Sequence, residues 1–161
     1  MKYKSLFTSI LSLIILFYSC KKEDTKSPST GQSGGNFVLN NVSYNVTSAS
    51  KLTTNITSYS FNSYNKQTFL NSAINFYFAG TNTPVSGTYT LVPSTANIGP
   101  NQVYVLATNE NGTGFESVNV VSTITVTVSG NQVDFKMNNT NLTETGGVNI
   151  IQASANTFIK L

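Results

Sequence analysis

The sequence has no histidine, no tryptophan and no arginine, and its nine basic residues are all lysines. It has one cysteine, Cys20, and only 9% of its residues are charged. Each shortage removes something. Without histidine, the usual Ser-His and Cys-His nucleophile pairs have no base. Without a second cysteine, no disulfide forms within the chain, so the fold must rest on its core. At 161 residues, one domain is large enough to bury such a core. Low charge does not signal disorder here, because Val, Ile, Phe, Tyr and Thr are plentiful and suit strands. No cofactor is expected.

The charge balance gives a pI near 9.0, yet the lysines are unevenly placed. Lys2, Lys4, Lys21, Lys22 and Lys26 precede residue 36, whereas the rest of the chain sets Lys51, Lys66, Lys136 and Lys160 against Glu110, Glu116, Asp134 and Glu144. The part after residue 36 is therefore neutral overall. A phosphate backbone finds no charge excess there, which argues against nucleic acid as a partner.

Residues 1–19 have the three zones of an export signal: "MKYKS" is cationic, "LFTSILSLIILFY" is an apolar run of thirteen, and Ser19 is small. A membrane-spanning helix needs about 20 apolar residues, and this run is shorter and interrupted by Thr8, Ser9 and Ser12. A buried core helix fits poorly with the cationic start and the charged stop.

The segment "FYSC" resembles the lipobox of bacterial lipoproteins. That resemblance implies cleavage between Ser19 and Cys20, a diacylglyceryl group on the Cys20 sulfur, and acylation of the new amine. Phe17 and Tyr18 depart from the commoner residues at those places. Several acyl chains on one residue hold firmly to a bilayer, at about 0.8 kcal/mol per buried CH₂. The stretch "KKEDTKSPSTGQSGG" that follows has no apolar period and reads as a tether. Its charged start is similar to those of Bacteroidetes lipoproteins, which implies an outer-membrane address facing the periplasm or the cell surface. The expected organisation is thus a signal over 1–19, a lipidated cysteine and linker over 20–35, and one β domain over 36–161.

Beyond Asn36 the dominant pattern is alternation of period two. In "STITVTVSG", Ile124, Val126 and Val128 face one way and Thr123, Thr125 and Thr127 the other. Across "SGNQ" follows "VDFKM", with Val133, Phe135 and Met137 inward, so the two runs predict a hairpin. "NFVLNNVSYNV" predicts another, folded at Asn40-Asn41, because asparagine tolerates positive φ. "AINFYFAG" puts Ile74, Phe76 and Phe78 on one face and Tyr77 on the other. "GTYTLV" ends at Pro93, and "QVYVLA", "GVNIIQAS" and "TFIKL" supply further short runs. No helical spacing is sustained. The prediction is an all-β fold of about eight to ten antiparallel strands, as a β-sandwich or flattened barrel. "FVLNNVSY", "SGTYTL" and "STITVTVSGNQVDFKM" resemble small β-sandwich lipoprotein domains of Bacteroidetes, a resemblance that carries no catalytic residue.

Three groups of residues invite a functional reading. Asn109, Asn111, Thr113 and Glu116 in "NENGTGFE" faintly resemble a calcium loop, but the carboxylates and flanking helices of an EF-hand are missing. A Gly-rich hairpin turn is the preferred reading. The carboxylates Glu110, Glu116, Asp134 and Glu144 are the only material for a hydrolase, a distant alternative. The aromatics of "TSYSFNSYNKQTF" suit a glycan- or small-ligand-binding surface, with Tyr64 and Tyr77 as the first contacts to test. Against this, Tyr59, Phe61 and Phe69 are expected to pack in the core. Six N-x-S/T triplets, at Asn41, Asn45, Asn55, Asn111, Asn138 and Asn141, read as chance in a chain so rich in Asn and Thr. The sequence leads to a lipid-anchored envelope protein with a non-catalytic binding or structural β domain. Its expected partners are the membrane and a glycan or another envelope protein.

Overall fold

The computed structural model describes residues 32–118 and 121–161. Its regular elements are eleven strands: β1 (Ser33–Leu39), β2 (Val42–Asn45), β3 (Ser48–Thr53), β4 (Ile56–Asn65), β5 (Leu70–Ala79), β6 (Gly87–Val92), β7 (Gln102–Thr108), β8 (Gly114–Ser117), β9 (Thr123–Ser129), β10 (Gln132–Glu144) and β11 (Ile150–Lys160). They make one sheet in the order β2-β1-β11-β10-β9-β6-β7-β5-β4-β3, with β8 inserted between β10 and β7. Pairings among the described residues are antiparallel, except that β6 runs parallel to β7. The sheet curls into a partial ring rather than a regular barrel. The all-β, mostly antiparallel expectation holds, with eleven strands in place of eight to ten.

The predicted hairpins form where alternation is clean. Ser129 pairs with Gln132 across Gly130, whose φ of 59° opens the turn. Leu39 pairs with Val42 across Asn40 and Asn41, whose φ values of 49° and 66° are the two positive angles a type I′ turn needs. Ile124 and Val126 are buried beside exposed threonines, as the period requires.

Three boundaries differ from the expectation. β1 starts at Ser33, inside the stretch assigned to the linker, because Gly34 and Gly35 pair with Phe158 and Thr157 of β11. Gly35 has a φ of 97°, and a Cβ there would lie 2.0 Å from the Asn156 carbonyl oxygen, so only glycine fits. β10 continues past Met137 through a bulge: Met137 pairs with Ala155 and Thr140 with Ala153, which leaves one extra residue at Asn138-Asn139. "GVNIIQAS" and "TFIKL" join into the single strand β11.

β10 and β7 are bridged differently at their two ends. Toward Gln132, β9 and β6 lie between them; toward Glu144, β8 alone does. The ring therefore narrows by about one strand spacing, ~4.8 Å, at the β8 end. At the fork, the fully buried Ser117 stitches the strands together. Its hydroxyl accepts from the Val105 N–H at 3.0 Å and donates to the Val92 carbonyl at 2.6 Å. Val105 is the residue at which β7 leaves β6 and has yet to meet β8, so its N–H has no ladder partner from either.

The core fills the inside of the ring. Phe135 is fully buried at its centre, 5.0 Å from the Phe76 ring in a stacked pair and 4.9 Å and 5.4 Å from Tyr59 and Phe61. Edge-to-face and stacked ring pairs of this kind add about 0.5–1.5 kcal/mol each beyond the area they bury.

The ring has two ends of different character. At one, where β1 begins, the Lys160 N–H donates to the Gln32 carbonyl and the Leu161 N–H to that of Asn131. Here the segment after β5 folds over the core: Pro84 is buried and Tyr89 Oη donates to the Val85 carbonyl at 2.8 Å. Lys51 points inward from the edge strand β3. Its Nζ donates to Thr83 Oγ1 at 2.7 Å and stands 5.8 Å from the centroid of the Tyr59 ring. An inward charge on an edge strand blunts that edge against pairing with another chain. The other end gathers the Asn40-Asn41 turn, the β4–β5 hairpin tip and the 109–113 loop.

Candidate functional site

The inner face of the ring changes chemistry along β4 and β5. On β4 it reads Thr57, Tyr59, Phe61, then Ser63 and Asn65; on β5 it reads Phe78, Phe76, Ile74, then Ser72 and Leu70. Period two places all of them on one side, so the wall is aromatic in the middle and polar at the end. Ser63 and Ser72 sit directly opposite each other in the register. Ser72 is 2% exposed, and among the described residues its hydroxyl has no hydrogen-bond partner. Among the described residues the fully buried side-chain oxygens without a partner are those of Tyr59 and Thr157; the Ser72 oxygen is not one of them, since Ser72 lines open space.

This polar end is the floor of a cleft of about 410 Å³ between β2 and the β4–β5 hairpin. Val42, Tyr44 and Leu70 supply its apolar lining, Tyr64 borders it from a strand position whose side chain alternates away from Ser63 and Ser72, and Glu110 also lines it. Tyr44 is held in place by stacking on Phe37, with centroids 5.2 Å apart. Thr47 ties the cleft's base together: its hydroxyl donates to the Asn62 carbonyl and accepts from the Tyr64 N–H at 3.0 Å. A smaller hollow of about 180 Å³ adjoins it and shares Val42, Tyr44 and Glu110. The broader depression over the β10 bulge, lined by Asn36, Lys136, Asn138 and Asn156, offers no aromatic wall.

Of the two tyrosines singled out from the sequence, Tyr64 lines the cleft and is 43% exposed. Tyr77 does not join it. Tyr64 pairs with Asn71 and Tyr77 with Ser58, six positions along the same pair of strands, or about 20 Å. Tyr77 lies instead against Tyr104, at 5.6 Å between centroids. Burial raises the pKa of Tyr77, and Tyr104 is pushed far up by burial first and then by its hydrogen bond to Glu116 and the charge there. Phe69 is not a core residue as expected. It is 77% exposed at the hairpin tip with a φ of 60°, because its N–H closes the turn onto the Asn65 carbonyl. Tyr59 and Phe61 are fully buried, as expected.

The 109–116 segment is the hairpin joining β7 to β8, with Thr108 paired to Gly114 and Gly112 at a φ of 79°. Asn109 Oδ1 accepts from the N–H groups of Asn111 and Thr113, both at 3.0 Å. Glu116 lies in β8 and accepts from the Tyr104 hydroxyl at 2.6 Å. The oxygens of Asn109 and Glu116 are therefore engaged within the protein rather than gathered around one point. The carboxylates are dispersed as well. Asp134 accepts from Gln132 Nε2 at 2.9 Å, and Glu144 accepts from the Asn149 side chain. Asp134 and Glu144 are ten residues apart on β10, about 30 Å, far beyond the separation at which two carboxyl groups act on one bond.

Ser63, Ser72 and Tyr44 were not anticipated from the sequence, and Glu110 only as a hydrolase carboxylate, although "NS" before "AINFYF" carries a signal: extended backward, its period places Ser72 inward. Ser19, Cys20 and the first part of the tether lie outside the described residues. Compared with protein-family models, curated proteins and solved structures, the chain matches none of them.

Proposed function

We propose that the chain is a lipid-anchored protein of a bacterial cell envelope whose β domain has a non-catalytic binding role. The observation that carries the anchor is the lone Cys20, placed where an apolar run of signal length stops at small and then charged residues. A free thiol there has no disulfide partner in the chain, and acylation gives it a use. The fold is compatible with that attachment. The tether reaches the ring at Ser33, at the end opposite the cleft, so a protein held by Cys20 presents the cleft away from the bilayer. Residues 21–32 span at most about 40 Å when extended, which allows the domain to stand clear of the headgroups.

The test is the intact mass of the protein isolated from bacterial membranes. A chain beginning at Cys20 and carrying acyl chains is expected, and Cys20→Ser should move the protein to the soluble fraction. A mass beginning at Met1, or an unmodified Cys20, overturns the anchor.

A further inference from the structure

We propose that the cleft at the narrow end of the ring binds a neutral saccharide of one or two rings. This rests on reading the domain as a binding module and names the class of ligand it takes. The volume, about 410 Å³, falls at the small end of the range for small-molecule sites, roughly 300–1,000 Å³. The walls suit the faces of a sugar ring. Tyr44 is locked against Phe37, with Val42 and Leu70 beside it in the lining. A pre-positioned aromatic wall loses little freedom when a ligand arrives.

The polar groups narrow the class. No lysine lines the cleft, so an anionic ligand finds no counter-charge. Glu110 is the single charge at the rim, which leaves a neutral polyol or an amine. The floor decides between them. Ser63 and Ser72 face each other without bonding, and each hydroxyl both donates and accepts. Sugar hydroxyls satisfy both capacities, whereas an ammonium only donates and would give up its hydration against a neutral floor. Ser72 is 2% exposed and lines this cleft, and its hydroxyl bonds none of the described residues. Glu110 then takes hydroxyls at the ligand's outer edge, where a carboxylate accepts strongly.

The experiment is saturation-transfer NMR on the full-length protein in a non-glycosidic detergent. The probes are neutral hexoses, N-acetylhexosamines and their disaccharides, with propylamine and glucuronate as charged comparisons. At least one neutral sugar should give saturation transfer. Tyr44→Ala should weaken it at least tenfold, and Ser72→Ala about fivefold with unchanged thermal unfolding, since the Ser72 hydroxyl bonds none of the described residues. Asn156→Ala, on the broad outer depression, should leave binding intact. The proposal is overturned if no neutral sugar responds, if only propylamine or glucuronate does, if binding survives both cleft substitutions, or if Asn156→Ala abolishes it. The same preparation is weighed for acylation. Acylated protein that binds no sugar overturns this inference alone, and unacylated protein that binds sugar overturns the anchor alone.

Discussion

At the end where β1 begins, the inner face of the ring closes over Tyr59, Phe78 and Tyr89, and the segment carrying Pro84 covers them. At the other end, the same strands β4 and β5 present Ser63, Ser72 and Asn65 along an open cleft. The pairing of β4 with β5 is continuous between the two ends; their side chains, the covering loop and the bridging strands across the ring differ. At the closed end Tyr89 bonds the Val85 carbonyl, while the Tyr59 hydroxyl is buried beneath without a partner. At the mouth Ser72 lines open space instead. The two ends thus differ in their cover and side chains rather than in the direction of β4 and β5.

Several measurements sharpen or break that contrast. Phe135 belongs to the shared core, so Phe135→Ala should cost about 3–5 kcal/mol in chemical denaturation, the largest effect of any single truncation. Ser117→Ala should cost about 2–4 kcal/mol, because it leaves both the Val105 N–H and the Val92 carbonyl buried and unpaired at the fork. Alkaline pH acts on the closed end. Burial pushes Tyr59 up to about 12, against about 10 in an unfolded chain. The stability held by keeping it neutral is fully present below pH 10 and is lost as pH rises through about 12, on the order of 2 kcal/mol, readable by tyrosinate absorbance alongside circular dichroism. Phe69→Gly should stabilise by about 1 kcal/mol, since glycine occupies the left-handed backbone of the hairpin tip without strain.

The smallest effect is the sharpest comparison. Ser72 and Ser117 are both buried, yet Ser72→Ala should change stability by less than about 0.5 kcal/mol, because its hydroxyl has no partner to lose. A cost for Ser72→Ala as large as that for Ser117→Ala would show that the mouth is structural rather than receptive.

Much of the fold was legible because alternation is a local signal. The β9–β10 hairpin and the Asn40-Asn41 turn follow directly from residue type and spacing. The far half of β10 was hidden for a physical reason: the bulge at Asn138-Asn139 shifts the phase, so Leu142 sits inward on even positions after Met137 did so on odd ones. β11 was hidden because its inner face carries Ala153, Ala155 and Thr157, small residues that leave room for the large rings opposite and give no hydrophobic beat. The strand status of Gly34 and Gly35 depends on β11, far away in sequence, and no local pattern reports it. The site was legible only in part. Tyr64 was found by its type and surroundings, but its partners come from β2, β5 and the 109–113 loop, which only the closed ring brings together.

The pairing of β1 with β11 has a consequence for how the protein acquires its shape. The first strand of the domain has β2 beside it from the start, but its other ladder forms only when the last strand is available, since Ser33 pairs with Ile159. Contacts this distant in the chain must close the longest loop in the domain, and such topologies fold slowly. A chain emerging from a narrow channel with its amino terminus first therefore has no neighbour to stand between β1 and β10 until its final residues are through. Refolding should accordingly end in a late phase that reports β1 and β11 together, with the β9–β10 hairpin already formed.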